Sequence, residues 1–481
     1  MSKLLLLAGL LLSLLSAAQN RLTADSVVFA ASSQYGNTSF LKRLIMGSNY
    51  REVWSQPVKL PVFHLKQQGF TIKELGGGQQ TKSLQLKDTK GRNWALRTVE
   101  KDVEKALPMP IRNTLAEKVT QDLISASHPY AAVTIPPINK ALGVIAPEPK
   151  IYFVPDDPSF GEFRSLFANT VCLLERRDPT PDDSETKNSE DLMEKILEEN
   201  DHRVMQHTVL KARLVDMLIG DWDRHSGQWR WGKIEKDGMD LYYAVPRDRD
   251  QAYFYSNGIL VKTVRHFAMK HLVGYRDNLN KLKNLNFKGW KFDGMFLNEL
   301  DKQDWDSTLK WVQSQLTDEL IHTAMTQMPA EAYAINGAEM ERKFRGRRDD
   351  LHEKGMRYYA FISKNVFVNG SDKAEIFRVN TNNDGIMIQI FDVKDNKEGR
   401  KIYERTFSPE ETWRVSLRGF GGNDRFIVDP SVNKKMRLQF IGGDGEDSYD
   451  IQGGSKNIIV EKKEETSKFI HKHKTKIKYE K

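Results

Sequence analysis

Gly220-Asp221-Trp222-Asp223-Arg224-His225-Ser226-Gly227-Gln228-Trp229 is the stretch on which the fold turns. Two aspartates flank an indole, Arg and His follow at once, and Gln228 comes five residues after Asp223. Upstream, Arg203 to Ile219 places Leu210, Leu214, Met217 and Leu218 at helical spacing, which predicts an amphipathic helix that delivers the chain into this loop. Downstream, a predicted strand pair ends at Pro246 and runs into Arg247-Asp248-Arg249-Asp250-Gln251-Ala252-Tyr253, with carboxylates at alternate positions.

Further out, Gly76-Gly77-Gly78 precedes Ser83-Leu84-Gln85-Leu86-Lys87-Asp88, which alternates strictly; Asp88 to Gly91 turns the chain and Trp94 to Val99 is the partner strand. This is a Gly-rich loop feeding an antiparallel hairpin. A helix opened by Pro110 carries Ile111, Leu115, Val119 and Leu123, and His128-Pro129 ends it. Ile151 to Pro155 and Thr170 to Glu175 are two more strand candidates. Residues 178–201 hold ten acids and two lysines, an acidic loop followed by a short helix. Helical patterns return from Asp304 to Met328 and from Ala338 to Ile362. The second is strongly basic through Arg342, Lys343, Arg345, Arg347 and Arg348, and is expected to be a solvated face.

Phosphoryl transfer needs a cation on the nucleotide phosphates, carboxylates to hold a divalent metal, a polar residue helping that metal, and an aspartate at the acceptor hydroxyl. The chain supplies these types in a workable order. Arg97, on the second strand of the hairpin, or Lys101 just after it, is the cation, and Glu117 or Asp122 is the helix acid that would pair with it. Asp122 lies on the apolar stripe of that helix while Glu117 points about 200° away, so both stay candidates. Glu175 ends a possible hinge strand.

Ile219 to His225 with Gln228 resembles the catalytic loop of secreted-pathway kinases of the casein-phosphorylating family. Its Asp-Arg-His core is similar to that of phosphoinositide lipid kinases and, more distantly, of HipA-type toxin and CotH spore-coat kinases. The resemblance implies an atypical bilobal kinase-like fold of the α+β class, using ATP with Mg²⁺ or Mn²⁺. Asp223 would be the catalytic base, with Arg224 and His225 as further catalytic residues of the loop, and Asp248 or Asp250, with Gln228, would bind the metal. Gly76, Gly77 and Gly78 would face the nucleotide. Two departures stand out: Arg97 occupies the place where the family strand ends in Lys, and Gln228 stands where several families use Asn or Glu. Arg is a rigid fork that binds phosphate well; Gln offers a carbonyl oxygen but no charge.

Tyr50-Arg51-Glu52-Val53-Trp54, Ser125-Ala126-Ser127-His128-Pro129-Tyr130 and Pro246 to Ala252 also resemble the central region of large Bacteroidota envelope proteins. There a metallophosphoesterase domain often precedes this region and an outer-membrane barrel often follows. No Gly-Asn-His-Glu signature is present here, so the resemblance carries no phosphatase activity. It implies an envelope complex or an outer-membrane barrel as partner and a protein or small molecule as phosphoacceptor. The rival function is a non-catalytic scaffold that keeps the fold for binding.

Lys3, the apolar run Leu4 to Leu15 and Ser16-Ala17-Ala18 have the layout of a secretory leader cleaved after Ala18, too short to span a bilayer. The expected location is therefore the periplasm or the outer membrane and surface. One cysteine, Cys172, excludes an intrachain disulfide. A net charge of +8 over 481 residues gives no reason to expect nucleic acid. The expected segments are a leader (1–18), a strand-rich segment (19–65), an N-lobe (66–175), a helical C-lobe (176–365), an all-β module (373–460) and a basic tail (461–481). The tail, with eight lysines against four glutamates, is expected to fray. In the β module, Gly442-Gly443-Asp444-Gly445-Glu446-Asp447-Ser448-Tyr449-Asp450 fits the calcium β-roll repeat, and Gly419 to Ile427 fits it except at the second position. Asp424, Asp444 and Asp447 are thus Ca²⁺ candidates, but copies 23 residues apart favour a metal-free solenoid or sandwich.

Overall fold

The alternating run at Ser83 forms an inner strand of an antiparallel sheet. A computed structural model describes residues 25–76, 82–103, 115–433, 435–454, 456–462 and 466–479. The leader, Gly77, Gly78 and the predicted helix start at Pro110 lie outside the described residues. Ser26–Ala30 (β1) pairs with Pro57–Pro61 (β2), and between them come two short helices, Phe40–Met46 (α1) and Arg51–Ser55 (α2). The segment expected to be strand-rich is therefore mixed, because Tyr50 to Trp54 turns its apolar residues to one side as a helix, with Val53 and Trp54 buried.

Thr71–Gly76 (β3), Ser83–Lys87 (β4), Asn93–Thr98 (β5), Lys150–Val154 (β6) and Thr170–Arg176 (β7) make a five-stranded antiparallel sheet in the order β3-β4-β5-β7-β6. One face buries Leu84, Leu86, Leu96, Cys172 and Leu174. Period-two alternation then forces Ala95 and Arg97 onto the other face, with Gln85 and Ser83 opposite them on β4. Leu115–Asp122 (α3) and Ala131–Ala141 (α4) separate β5 from β6.

Lys187–Asn188 (β8) leads into Ser189–Glu198 (α5), then His202–Val204 (β9) and Gln206–Ile219 (α6). From Ala212 to Ile219 the predicted amphipathic α6 is buried at every position, Arg213 and Asp216 included, because ion pairs neutralise its polar residues inside the core. Trp229–Lys236 (β10) and Met239–Pro246 (β11) form the predicted hairpin. Ile259–Phe267 (α7), Lys302–Gln315 (α8), Asp318–Met325 (α9) and Ala330–Ile362 (α10) are the remaining helices of eight or more residues among the described residues. Asp301 closes a capping box at the start of α8, and Thr317 caps α9, which divides the pattern predicted as one segment. The face of α10 is not simply solvated: Arg347 is 3% exposed.

Beyond α10 the chain winds into a β-solenoid whose successive turns pair in parallel, joined by an antiparallel meander over residues 375–407. Asn365–Asn369 (β12), Glu375–Thr381 (β13), Ile386–Lys394 (β14), Lys397–Phe407 (β15), Arg414–Gly421 (β16), Arg425–Val428 (β17), Arg437–Asp444 (β18), Ser448–Ile451 (β19), Lys456–Glu461 (β20), Lys468–Lys472 (β21) and Thr475–Tyr479 (β22) fall into two sheets. Their orders are β12-β16-β18-β20-β22 and β15-β14-β13-β17-β19-β21. Arg414 is in register with Arg437, and Arg425 with Ser448, one turn of chain apart in each sheet. Phe377, Phe426, Tyr449 and Phe469 stack along the inside. The basic tail does not fray as expected. Phe469 and Ile477, alternating with lysines, pack on this core and turn 468–479 into two further strands. The solenoid also begins at Asn365, ahead of residue 373 where the all-β module is expected.

The three weak Ca²⁺ candidates have other partners. Asp424 and Asp447 are both 1% exposed and point into the coil. Asp424 Oδ1 accepts from Glu375 N at 2.8 Å, and Asp447 Oδ1 accepts from Asp424 N at 2.9 Å, so the carboxylates tie successive rungs together. Asp444 is on the surface and pairs with Lys462. Gly419 and Gly442 make the room: a Cβ on either would lie 1.7 Å from Oδ2 of Asp424 or Asp447.

Candidate active site

The five-stranded sheet, α3, the loop after α6 and the Asp-rich turn after β11 enclose a cavity of about 1110 Å³. Arg97, Lys101, Asp223, His225, Gln228, Arg247, Asp248 and Asp250 all line it, brought together from three separate parts of the chain.

On the sheet side, Arg97 Nη2 lies 3.3 Å from Glu175 Oε1, a diagonal pair between β5 and β7. Arg97 Nη1 lies 3.3 Å from Asp248 Oδ1 across the cavity. Lys101 pairs with Asp250. Burial pulls both cations down in pKa, but Glu175 and Asp248 around Arg97, and Asp250 and Asp248 around Lys101, outweigh it. The helix acids do not take the expected role. Asp122 is held by Arg51 and by Lys42, and Glu117 is half-buried on α3 without lining the cavity. Glu175 takes their place as partner of Arg97.

Gly220 ends α6 in the left-handed region at φ +70, and a Cβ there would meet the Tyr275 ring at 2.9 Å. Arg347 from α10 donates to Leu218 O at 2.6 Å and Met217 O at 2.5 Å, satisfying carbonyls that the helix end leaves open. Asp223 N donates to Asp221 Oδ1 at 3.0 Å, which turns the loop so that the Asp223 carboxylate faces the cavity. There it meets Lys288 Nζ at 2.5 Å. Lys288 had no local signal in the sequence.

Arg224 is corrected from a catalytic to a positioning residue. It is 1% exposed and donates to Gln228 Oε1 (2.8 Å), Gln228 O (3.1 Å) and Arg247 O (2.5 Å), so it fastens the loop to the end of β11. Gln228 spends its side-chain oxygen on Arg224, which weakens its expected role at a metal. His225 is exposed on the rim, and its Nδ1 accepts from Gly227 N at 3.2 Å.

Behind the loop, Asp216 is fully buried among Arg213 (3.0 Å), Arg224 (3.3 Å) and Arg249 (2.9 Å). Burial would raise its pKa, yet these guanidiniums hold it below the usual range. The alternation Arg247-Asp248-Arg249-Asp250 is thus resolved: Arg249 turns inward to Asp216, while Asp248 and Asp250 line the cavity. Burial lifts Asp221 to about 7 against the pull of Arg224, with Asp216 adding to the rise.

Asp248 takes a left-handed backbone, φ +56, which Asp tolerates better than most residues. Burial would raise its carboxyl, but Arg97 and Lys101 hold it below the ordinary value. Burial raises Asp250 against Lys101, and the neighbouring Asp248 charge adds to the rise. Arg247 differs from its neighbours. It forms no ion pair among the described residues, its Nε has no hydrogen-bond partner, and burial, followed by the nearby Arg97, lowers it to about 10.

Two aspartates suit the hard oxygen preference of Mg²⁺, which commonly takes one or two carboxylates together with substrate phosphates and water. Among the described residues no group of three His, Cys, Asp or Glu side chains is placed to hold a metal ion by itself.

No family model matches the chain, and no curated protein matches it. Among solved structures it is similar to the Helicobacter pylori proinflammatory kinase CtkA, at 12% identity and a TM-score of 0.34 over 62% of this chain and 99% of that one. The Rio2 kinase of Chaetomium thermophilum, solved as an ADP/Mg²⁺-phosphoaspartate complex, gives 13% identity and 0.21 over 51% and 71%. The Leishmania major MAP kinase LmaMPK10 gives 11% and 0.22 over 61% and 83%. All three are kinases, and all three overlaps are partial.

Proposed function

We propose that the chain is an atypical ATP-dependent phosphotransferase, with the five-stranded sheet and the helical part as the two lobes of a kinase-like fold. The observation that carries this is the convergence in one cavity of Arg97 and Lys101 from the sheet side, Asp223 from the loop and Asp248 and Asp250 from the turn. The unpaired guanidinium of Arg247 is a ready partner for a phosphate oxygen. Arg97, kept in place by Glu175, and Lys101 would face the remaining phosphate oxygens. Asp248 and Asp250 would hold Mg²⁺ or Mn²⁺, which supplies charge neutralisation on the phosphates when bound. Asp223 would accept the proton of an acceptor hydroxyl as that oxygen bonds to the γ-phosphorus and the bond to the β,γ-bridging oxygen breaks, leaving ADP. The leader-like residues 1–18 support work outside the cytoplasm on an envelope acceptor.

A scaffold without catalysis is favoured by one specific observation. Each cavity carboxylate already has a cation: Asp223 with Lys288, Asp248 with Arg97, Asp250 with Lys101. The deciding experiment is thermal shift with ATP and Mg²⁺ or Mn²⁺ on wild type and Asp248→Ala. A rise of several degrees that Asp248→Ala abolishes is expected. No shift in wild type overturns the enzyme proposal, and a shift without phosphate release or transfer from ATP assigns the scaffold.

A further inference from the structure

The lining of the cavity is of two kinds. Besides the charged groups, Leu123, Leu260, Val261, Val264, Met269 and Leu272 give it apolar surface that nucleotide phosphates cannot use. Three of these side chains come from α7, whose other residues face out: Ile259 is 52% exposed and Phe267 78%.

Helix α1 lies directly against α7. A Cβ on Gly258, at the start of α7, would sit 2.4–2.6 Å from the backbone of Ile45, Met46 and Gly47, so only glycine permits this approach. Asn257 Oδ1 accepts from Ser48 N at 2.8 Å and closes the junction. The two helices therefore present one surface, to which α1 adds Phe40, Leu41, Leu44 and Ile45, all exposed. Isolated exposed apolar residues need no explanation, but a contiguous group of large ones marks an interaction site.

Charge indicates the partner. Residues 38–51 and 256–276 contain no Asp or Glu, while Arg43, Lys262, Arg265 and Lys270 stand among the apolar side chains. Aromatic and aliphatic residues ringed by cations, with no anion of their own, are complementary to an anionic lipid surface, where apolar groups enter the acyl boundary and cations meet the headgroups. An acidic protein would satisfy the cations but would have to supply a matching apolar face. A bilayer supplies both everywhere. Among the described residues no helix is long and apolar enough to cross a membrane, so the contact would be peripheral.

We infer that α1 and α7 dock the protein on an anionic lipid bilayer, and that the apolar lining of the cavity, on the inner face of α7, receives an acyl or isoprenoid chain from it. The docking does not depend on catalysis. That the headgroup hydroxyl of such a lipid is the acceptor at Asp223 does rest on the phosphotransferase proposal.

The test is co-sedimentation of the full chain with vesicles of phosphatidylglycerol and phosphatidylcholine, against phosphatidylcholine alone. It compares wild type with the double variant Phe40→Asp/Leu44→Asp and with Phe267→Asp. These side chains are largely solvent-facing, so unchanged melting temperatures should confirm folding. Wild type should sediment with the anionic vesicles, and each variant should lose at least fivefold in bound fraction while keeping any nucleotide-induced thermal shift. Sedimentation unaffected by the substitutions would mean that another part of the chain binds and overturns the proposal. Absence of wild-type binding overturns it too, and self-association abolished by the same substitutions would then assign the face to a second copy. A nucleotide shift that fails while vesicle binding holds rejects the enzyme proposal and leaves the docking surface standing.

Discussion

Arg97 Nη1 lies 3.3 Å from Asp248 Oδ1, a bridge between the antiparallel sheet and the Asp-rich turn. It exists because β5 alternates: Leu96 goes to the core, so Arg97 goes to the cavity. Glu175 holds the other side of the same guanidinium. Replacing Arg97 with Met leaves Glu175, which is 7% exposed, beside Asp248 with no cation between them. Removing one partner of a buried pair costs on the order of 3 kcal/mol, and the partly open Asp248 should reduce that figure. Chemical denaturation should show a loss of about 1–3 kcal/mol, and Arg97→Lys should recover part of it but not the bidentate geometry.

Asp216 should be the most sensitive position in the helical part. It is fully buried and meets three guanidiniums, so Asp216→Asn would leave Arg213, Arg224 and Arg249 short of one negative charge. The expected loss is about 3–5 kcal/mol. Arg224→Lys is milder in stability but should detach the loop from the end of β11, seen as a weaker nucleotide-induced thermal shift with little change in the melting temperature of the unliganded protein.

The solenoid should be less stable in base than in acid. Burial, then the neighbouring Glu375 charge, lifts Asp424 to about 9, and burial lifts Glu375 to about 7. Both folded values lie above the unfolded ones, so the native state holds protons that the unfolded chain has lost. Their contribution is full below about pH 4 and disappears as pH rises through about 7 and then 9. The melting temperature of the solenoid transition should fall from pH 5 to pH 9. Asp424→Asn should flatten that slope, and a slope unchanged by it would reject the assignment.

Gly419→Ala and Gly442→Ala test the same ladder sterically. Each Cβ would lie 1.7 Å from the carboxylate tying two rungs together, so the Asp must leave its site or the coil must open. Overpacking of this kind typically costs about 1–3 kcal/mol. Gly91→Ala is not a suitable control, since its φ of +77 strains any side chain; Gly294→Ala, with open space around it, is the better one.

What was legible in the sequence follows from what is local. The hairpin at Ser83 to Thr98, the helix before Gly220 and the alternating aspartates were visible because period and turn chemistry act over a few residues. The Gly-x-x-x-x-Asp spacing at 419–424 and 442–447 was visible too, but not that the glycines make room for the carboxylates inside the coil. The partners were not legible. Lys288 reaches Asp223 from 65 positions away, and Arg347 reaches Met217 from 130. Neither has a periodic signature, and a basic stretch such as 342–348 reads as solvated until a helix end is placed against it. The tail at 468–479 read as charged because its lysines outnumber Phe469 and Ile477, though the alternation that makes it strand was present.

Arg247 gives the sharpest separation between stability and function. It is the cavity-lining cation among Arg97, Lys101, Lys288 and itself that has no carboxylate in ion-pair contact, and burial already lowers it to about 10. An uncompensated buried charge is a cost to the empty protein. Arg247→Met, which keeps length and removes charge, should therefore leave the unliganded melting temperature unchanged or raise it. The same substitution should remove a guanidinium free to meet an incoming phosphate, and weaken binding of ATP or ADP by at least tenfold in calorimetry. A charged contact of this kind is worth roughly 1.5–3 kcal/mol. A drop in stability with nucleotide affinity intact would mean that Arg247 has a structural partner and that phosphate is held elsewhere. A gain in stability with lost affinity would mean that the charge is kept for the ligand.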